Sequence, residues 1–321
     1  MLRRTFLATL SAPVLGIYAQ QVIRSESRLV IVPVVVLDAN GGYVTDLVAG
    51  DFLLLDDGTP RTVRVDTTDT GVAPISLIVA VQTAALSAAV LAKVRKVGAM
   101  IQPLITGDRG EAALIGFDED LRTVQDFTSD PNAIADAFER LDSGSAAPSG
   151  RMLDAVDLAA KMFAGGKANS RRVLLIISES RDRGSKTKLD RAVELVQQEG
   201  IVVYAATYSA YATPFTAKSS DLPPPDFQGD IITAMIEVGR NAKKKASQRL
   251  ALESGGAHFS FLKQSGLDRL ITETGADLHS QYILSFTPPS DAAPGLHAIA
   301  VSVRSGEKYR VRSRRAYWVA E

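Results

Sequence analysis

Three stretches of this chain, Ile75–Val81, Val173–Ile177 and Ile201–Ala206, are almost wholly Val, Ile, Leu and Ala, without the alternation of a strand that has one wet face. A strand of that kind has to be covered on both sides. The segments between supply the cover. Val90, Val94, Val97 and Ile101 share one side of a predicted helix over 86–104, and Leu189, Ala192, Val193 and Val196 mark another that stops at Gly200. Apolar strands alternating with amphipathic helices imply an α/β fold with a doubly wound, mostly parallel sheet.

Other elements fill in this pattern. Strands are expected at Glu111–Phe117 and Leu121–Phe127 around the acidic turn Asp118-Glu119-Asp120, which reads as solvated. Asp130 is a good cap and Pro131 a good first residue for a helix to Leu141. Further helices are expected over Met152–Phe163, Ile231–Glu253 and Leu267–Leu278, and strands over His258–Leu262 and Gln281–Phe286. Residues 208–229 form a long irregular insertion containing Pro223-Pro224-Pro225.

Both ends of the chain have antiparallel character. Leu29–Leu37, Val44–Leu47, Phe52–Leu55 and Thr62–Val65 are short extended pieces separated by turn residues, and His297–Val303 and Tyr309–Arg314 read as a hairpin around Ser305-Gly306-Glu307. Neither end is sufficient alone, so the two are expected to pair into one small β module. The expected division is 1–21 as an export signal, 22–70 as the first part of the β module, 71–287 as the α/β domain and 288–321 as the hairpin that completes the module.

Composition narrows the function classes. Lys plus Arg and Asp plus Glu both number 36, so there is no positive excess to hold a nucleic-acid backbone, and nucleic acid is not expected as a partner. The absence of cysteine removes disulfides, thiolate nucleophiles and thiolate metal sites together. Arg3-Arg4 precedes an apolar run from Phe6 to Tyr18 and a plausible cleavage point at Ala19-Gln20-Gln21. This is the layout of an export signal, by the twin-arginine or the general secretory route, and the run is short for a membrane span. A periplasmic or extracellular protein without a transmembrane span in its mature chain is expected.

The order of several fragments resembles a known family. Val30-Ile31-Val32-Pro33-Val34-Val35-Val36-Leu37-Asp38, Val44-Thr45-Asp46-Leu47, Asp51-Phe52 and Asp57-Gly58 are similar to the opening of the "VWFA-related" proteins of Acidobacteria. Leu250-Ala251-Leu252-Glu253-Ser254-Gly255-Gly256, Gln281 to Pro288 and Arg314 to Trp318 resemble the family's closing segments. The resemblance implies a von Willebrand factor A-like domain with a metal-ion-dependent adhesion site at the C-terminal edge of its sheet. Such a site uses an Asp-x-Ser-x-Ser turn, a Thr and a further Asp, because Mg²⁺ requires hard oxygen ligands in near-octahedral array.

This chain departs from that set. The Asp position holds Gln82, the two Ser positions hold Ala84 and Leu86 with Ser87 next to them, Gly150 stands where Thr is expected, and Glu179 takes the place of the last Asp. A shift by one residue that recruits Thr83 and Ser87 still lacks the first carboxylate. The expected site is therefore a degenerate one made of Gln82, Ala84, Leu86, Ser87, Gly150, Arg151 and Glu179, with no metal and no cofactor. Arg151 could bring its guanidinium beside Glu179 and grip a partner carboxylate in the ion's stead, or it could be a solvated loop residue.

No other chemistry stands out. His258, His279 and His297 lack metal-ligand spacing and read as structural or exposed. Gly165-Gly166-Lys167 follows a helix and lacks the rest of a phosphate loop, and Lys243-Lys244-Lys245 reads as an exposed helix face. The expected function is non-enzymatic recognition of a protein partner through the crest loops, without an ion. The alternatives are an envelope scaffold with a vestigial site and, behind it, a Mg²⁺-dependent adhesion protein or a hydrolase.

Overall fold

The computed structural model describes residues 29–66, 73–84, 88–142, 144, 150–167, 169–179, 182–208, 246–261, 264–304 and 308–320. The chain opens with four strands, β1 (Val30–Leu37), β2 (Phe52–Asp56), β3 (Thr59–Arg61) and β4 (Arg64–Asp66). It continues through β5 (Ile75–Gln82), α1 (Ala88–Val94), α2 (Gly98–Ile101), β6 (Glu111–Phe117), β7 (Leu121–Thr128), α3 (Pro131–Glu139) and α4 (Met152–Ala164). Then follow β8 (Arg171–Glu179), α5 (Leu189–Gln198), β9 (Val202–Tyr208), α6 (Ala246–Ser254), β10 (His258–Ser260) and α7 (Gln264–His279). The last strands are β11 (Tyr282–Phe286), β12 (Gly295–Val303), β13 (Arg310–Ser313) and β14 (Ala316–Val319).

The central sheet has six strands in the order β10-β9-β8-β5-β6-β7, all parallel except the β6–β7 pair at one edge. The bare apolar runs are its middle strands. On β5, Leu77, Val79 and Val81 pack beneath Leu91, Val94, Ile101, Phe138 and Ile271, while Ile78 and Ala80 face Val156, Phe163, Val196 and Leu250 on the other side. Each such side chain contributes roughly 1.5–3 kcal/mol on burial, so a polar residue on either face would cost a comparable amount. The doubly wound α/β reading of the sequence is what the chain adopts.

Local signals set the element ends. Asp130 accepts a hydrogen bond from the Asn132 N–H (2.9 Å) and Pro131 opens α3, as expected. Gly200 closes the turn after α5 at φ +63°. Past α2 the backbone widens into a single π turn over Gln102–Thr106, where Pro103 has no N–H to give.

The antiparallel parts form two four-stranded sheets, β13-β1-β11-β4 and β14-β12-β2-β3. They face each other across a core of Val32, Val34, Val36, Leu284 and Phe286 from one and Phe52, Leu54, Ile299 and Tyr317 from the other. Several details differ from the sequence reading. Val44–Leu47 forms no strand, and of the piece expected over Thr62–Val65 only Arg64 and Val65 are extended, in β4, while β3 (Thr59–Arg61) lies ahead of it in the other sheet. Gln281–Phe286, read as part of the strand–helix alternation, supplies β11, which pairs antiparallel with β1 rather than joining the parallel sheet. The expected hairpin is also absent: β12 pairs with β2 and β14, and β13 pairs with β1. An isolated hairpin buries one face weakly, whereas dividing its strands between two sheets lets both bury apolar residues in a shared core.

Two buried polar contacts tie this sandwich to the α/β part. Arg314, beyond β13, donates to the carbonyls of Ala316 (2.7 Å) and Gln197 (2.6 Å) and to Gln197 Oε1 (3.1 Å), and Gln197 Nε2 donates to the Glu253 carbonyl (2.6 Å). Gly255 passes beneath at φ +82°, and a Cβ there would lie 2.4 Å from the Arg314 backbone nitrogen. On the second contact, Asp277 accepts from Tyr43 Oη (2.8 Å) and from Arg312. Among the described residues no helix is long and apolar enough to cross a membrane.

Burial without an anionic partner pulls the Arg314 guanidinium down to about 10. Its role is to satisfy carbonyls that water cannot reach. Arg314→Met should therefore lower stability by roughly 1–3 kcal/mol in denaturant titration, the cost of orphaning buried acceptors; an unchanged midpoint would remove the assigned role.

Candidate functional site

Parallel strands present their C-terminal ends along one edge, and the loops leaving β5, β6 and β8 meet there. Gln82 closes β5 and Glu179 closes the neighbouring β8. The Gln82 side chain is buried and bends across the strand pair, its Oε1 accepting the Glu179 N–H at 2.8 Å. Gly150 lies against the same carboxamide: a Cβ at that position would be 2.4 Å from Gln82 Nε2. The glycine that replaces the expected threonine is thus the partner of the glutamine that replaces the expected aspartate. Gly150 also exchanges backbone hydrogen bonds with Arg183, each 3.0 Å, which joins the second loop to the third.

Asp154, in the first turn of α4, fastens these loops. Its carboxylate accepts the Lys186 N–H (3.0 Å), the Thr187 N–H (2.8 Å) and Arg151 Nε (2.7 Å). In the other direction, Asp182 Oδ1 and Ser185 Oγ accept the Leu153 N–H at 3.0 and 3.1 Å, so the third loop caps the helix that follows the second. Burial alone would raise the Asp154 carboxyl, but the donors from Thr187, Lys186 and Arg151 outweigh it and hold it at about 2.

A third knot lies over β6. Asp118 is fully buried, its Oδ2 accepting from Thr83 Oγ1 (3.0 Å) and Arg122 Nη2 (2.8 Å) and its Oδ1 from the Asp120 N–H (2.8 Å). Burial pushes this carboxyl up, and the Arg122, Asp120 and Thr83 hydrogen bonds together bring it below the ordinary value. The acidic turn expected to be solvated is so only at Glu119 and Asp120; Asp118 faces inward because a cation and a hydroxyl wait for it. Both Asp118 oxygens are thus committed to hydrogen bonds within the turn and its neighbours.

The sequence-derived positions fare unevenly. Gln82, Gly150 and Glu179 come together. Ala84 is buried and offers no donor atom. Leu86 and Ser87 lie outside the described residues, as do 209–245, which include most of the expected insertion and the lysine run. Of the two readings left open for Arg151, beside Glu179 or solvated, the structure adopts neither: the guanidinium bonds Asp154 and, through Nη1, the Glu119 carbonyl (2.8 Å), because Asp154 lies one helical turn away on the same side. Glu179 Oε2 is buried and has no hydrogen-bond partner among the described residues. Asp154, Asp182, Ser185 and Arg122 were not singled out; the Asp-x-x-Ser spacing of 182 and 185 before a helix-capping contact is the only signal the sequence held.

A magnesium ion does not fit this donor set. Among the described positions that the resemblance assigns to it, only Glu179 is anionic, Gln82 Oε1 already holds a backbone N–H, and the Gln82 amide fills the space above Gly150.

No family model matches the chain, and no curated protein matches it either. Solved structures do. An aerotolerance-related membrane protein from Bacteroides fragilis is similar at 16% identity over 63% of this chain and 98% of the other, with a TM-score of 0.45. A von Willebrand factor type A protein from Catenulispora acidiphila is similar at 10% identity over 93% and 76%, with a TM-score of 0.47. BatB from Bacteroides thetaiotaomicron, a conserved hypothetical protein, is similar at 15% identity over 63% and 99%, with a TM-score of 0.42. The architecture itself rests on the strand order and pairing described above.

Two outcomes test the crest. Gly150→Ala drives a methyl into the Gln82 amide and should cost about 1–3 kcal/mol in denaturant titration, with the loss relieved in Gly150→Ala/Gln82→Ala. The Asp154 staple has a lowered carboxyl, so its contribution is complete above the unfolded value of 3.8 and is lost as pH falls toward about 2. Exchange protection of the Lys186 and Thr187 amides should follow that course and be absent in Asp154→Ala.

Proposed function

We propose that the chain is a non-enzymatic protein-recognition module that engages its partner at the crest of the parallel sheet, through the loops around Gln82, Gly150, Arg151 and Glu179, without a metal ion. The observation that carries this reading is Glu179 Oε2. Gln82, Thr83, Asp118, Asp154 and Asp182 all find donors or acceptors in neighbouring loops, whereas this one buried carboxylate oxygen has none among the described residues. An unpaired buried acceptor costs about 1–3 kcal/mol or more, and a donor brought by a partner relieves that cost on binding. Staples such as Asp154 favour the same reading, since loops held in place lose little entropy when they dock.

Export fits this role. The arginine pair and apolar run at 3–18 support delivery across a membrane, and the resemblance to VWFA-related proteins points to the envelope or its exterior. A second reading, a scaffold subunit working through the β sandwich, is favoured by Val48 and Leu296, large apolar side chains that lie 64% and 54% exposed on it.

Capture of partners from an envelope extract with the mature protein, with and without chelator, separates the readings. Capture should be indifferent to chelator and weaken about tenfold or more in Glu179→Ala, the value of one charge-assisted hydrogen bond. Loss on chelation overturns the metal-free site. Capture that survives Glu179→Ala but fails in Leu296→Asp moves the interface to the sandwich.

A further inference from the structure

His297, on β12, sits in the sandwich, far in sequence from the crest loops. Both of its ring nitrogens face acceptors: Nδ1 is 2.7 Å from Asp57 Oδ2, and Nε2 is 2.7 Å from the Ala293 carbonyl oxygen. A neutral imidazole has one N–H and can satisfy only one of them. The other nitrogen would then direct a lone pair at an oxygen lone pair, so the geometry belongs to the imidazolium.

The surroundings favour that charge. From β2 and its turn come Asp56 and Asp57, from β3 comes Arg61, and from β14 comes Tyr317. Tyr317 stacks on the imidazole with ring centroids 5.2 Å apart at 28° and donates its hydroxyl to Asp56 Oδ1 (3.0 Å), while Arg61 Nε pairs with Asp56 Oδ2 (3.0 Å). Asp56 is thereby neutralised by Arg61, and Asp57 is left as the anion opposite His297. Asp57 is held for this task at φ +46°, with its Oδ1 on the Ala298 N–H (2.8 Å) and its own N–H on the Ala298 carbonyl (2.9 Å). Asp56, Asp57 and His297 bring oxygen and nitrogen atoms within 4.8 Å of one another, but those atoms are already bonded to Tyr317, Arg61, Ala298 and Ala293. The group is built around a proton rather than an ion.

We propose that His297 is a proton-operated clasp for the segment 287–294 that leads into β12. In the charged state it grips both Asp57 and Ala293. On losing a proton it keeps the N–H that faces the Asp57 carboxylate, the stronger acceptor, and turns a lone pair toward Ala293, which is released. The clasp therefore loosens the approach to β12 while the β2–β3 turn stays attached.

The direction of titration agrees. The hydrogen bond to the Ala293 carbonyl raises the imidazole value, burial opposes it, and Asp57 adds to the rise, leaving the group above the ordinary 6.5. A raised value means the clasp is complete below 6.5 and is lost as pH climbs through the folded-state value.

The test uses the full chain labelled with ¹⁵N, whose three histidines can be followed separately by long-range ring-nitrogen spectra. At pH 6.5 both His297 nitrogens should be protonated, with a midpoint above that of Asp57→Asn. Opening of the segment, read as exchange of the Ala292 amide, which bonds the Pro289 carbonyl (3.1 Å), corrected for its intrinsic pH dependence, should rise about tenfold for each unit by which the midpoint is raised. It should not vary with pH in His297→Gln. A single neutral tautomer at pH 6.5, or corrected exchange with the same pH dependence in wild type and His297→Gln, overturns the clasp. Should Asp57→Asn fail to fold, the wild-type ring-nitrogen shifts decide the matter alone.

Discussion

A strand that is apolar on both faces has only its ends left for chemistry. That constraint governs the molecule: β5 and β8 are sealed between two layers of helices, so polar groups gather where the strands stop. Because the strands are parallel, the loops after β5, β6 and β8 arrive at one edge, and side chains distant in sequence become neighbours. Gln82 meets Glu179 across 97 residues, and Thr83 meets Asp118 across 35. The position of the candidate site is thus a consequence of burial, decided before any particular side chain is considered.

What the crest residues then do follows from the cost of burying polar atoms. Each of the loops donates or accepts on behalf of another: the third caps α4, α4 returns a carboxylate to the third, and the first caps the end of β8. In a site organised around a cation, the ion would perform this cross-linking. Here carboxamide, carboxylate and glycine perform it directly, with Gly150 accommodating an amide that any larger residue would displace. Among the described crest residues Glu179 Oε2 is the exception, a buried carboxylate oxygen without a hydrogen-bond partner.

The parallel sheet, its covering helices and the α3 cap were legible because each rests on a local signal: apolar runs, a period of 3.6, or Asp130-Pro131. The β strands at the two ends were legible as strands but not as partners. Alternation in β12 and β13 fits a hairpin as well as it fits two facing sheets, and only the shared core around Phe286 and Tyr317 decides between them. β14 was missed because Ala316–Val319 is short and follows two arginines, one of which is buried. At the crest, the sequence pointed to Gln82, Gly150 and Glu179 but not to the hydrogen bonds that join the loops around them. Arg151 could be read from sequence as facing Glu179 or as solvated; its guanidinium instead bonds Asp154, the helical neighbour at i+3.

Arg314 shows why a strand with that sequence can end where it does. A buried guanidinium without a carboxylate is expensive, and elsewhere it would argue against the placement. Here the chain crosses from one sheet of the sandwich to the other between β13 and β14, beside Gly255 and the end of α5, where Arg314 donates to the carbonyls of Gln197 and Ala316 and to Gln197 Oε1. One fork of N–H groups serves both sides of the junction, and a lysine, with a single charged point, could not reach them in the same geometry. The Asp277 contact does similar work between α7 and β13, but as a charge pair with Tyr43 added. The β sandwich is therefore attached to the α/β part by polar groups that are satisfied only when the two are together, which makes the terminal segments depend on the domain they flank.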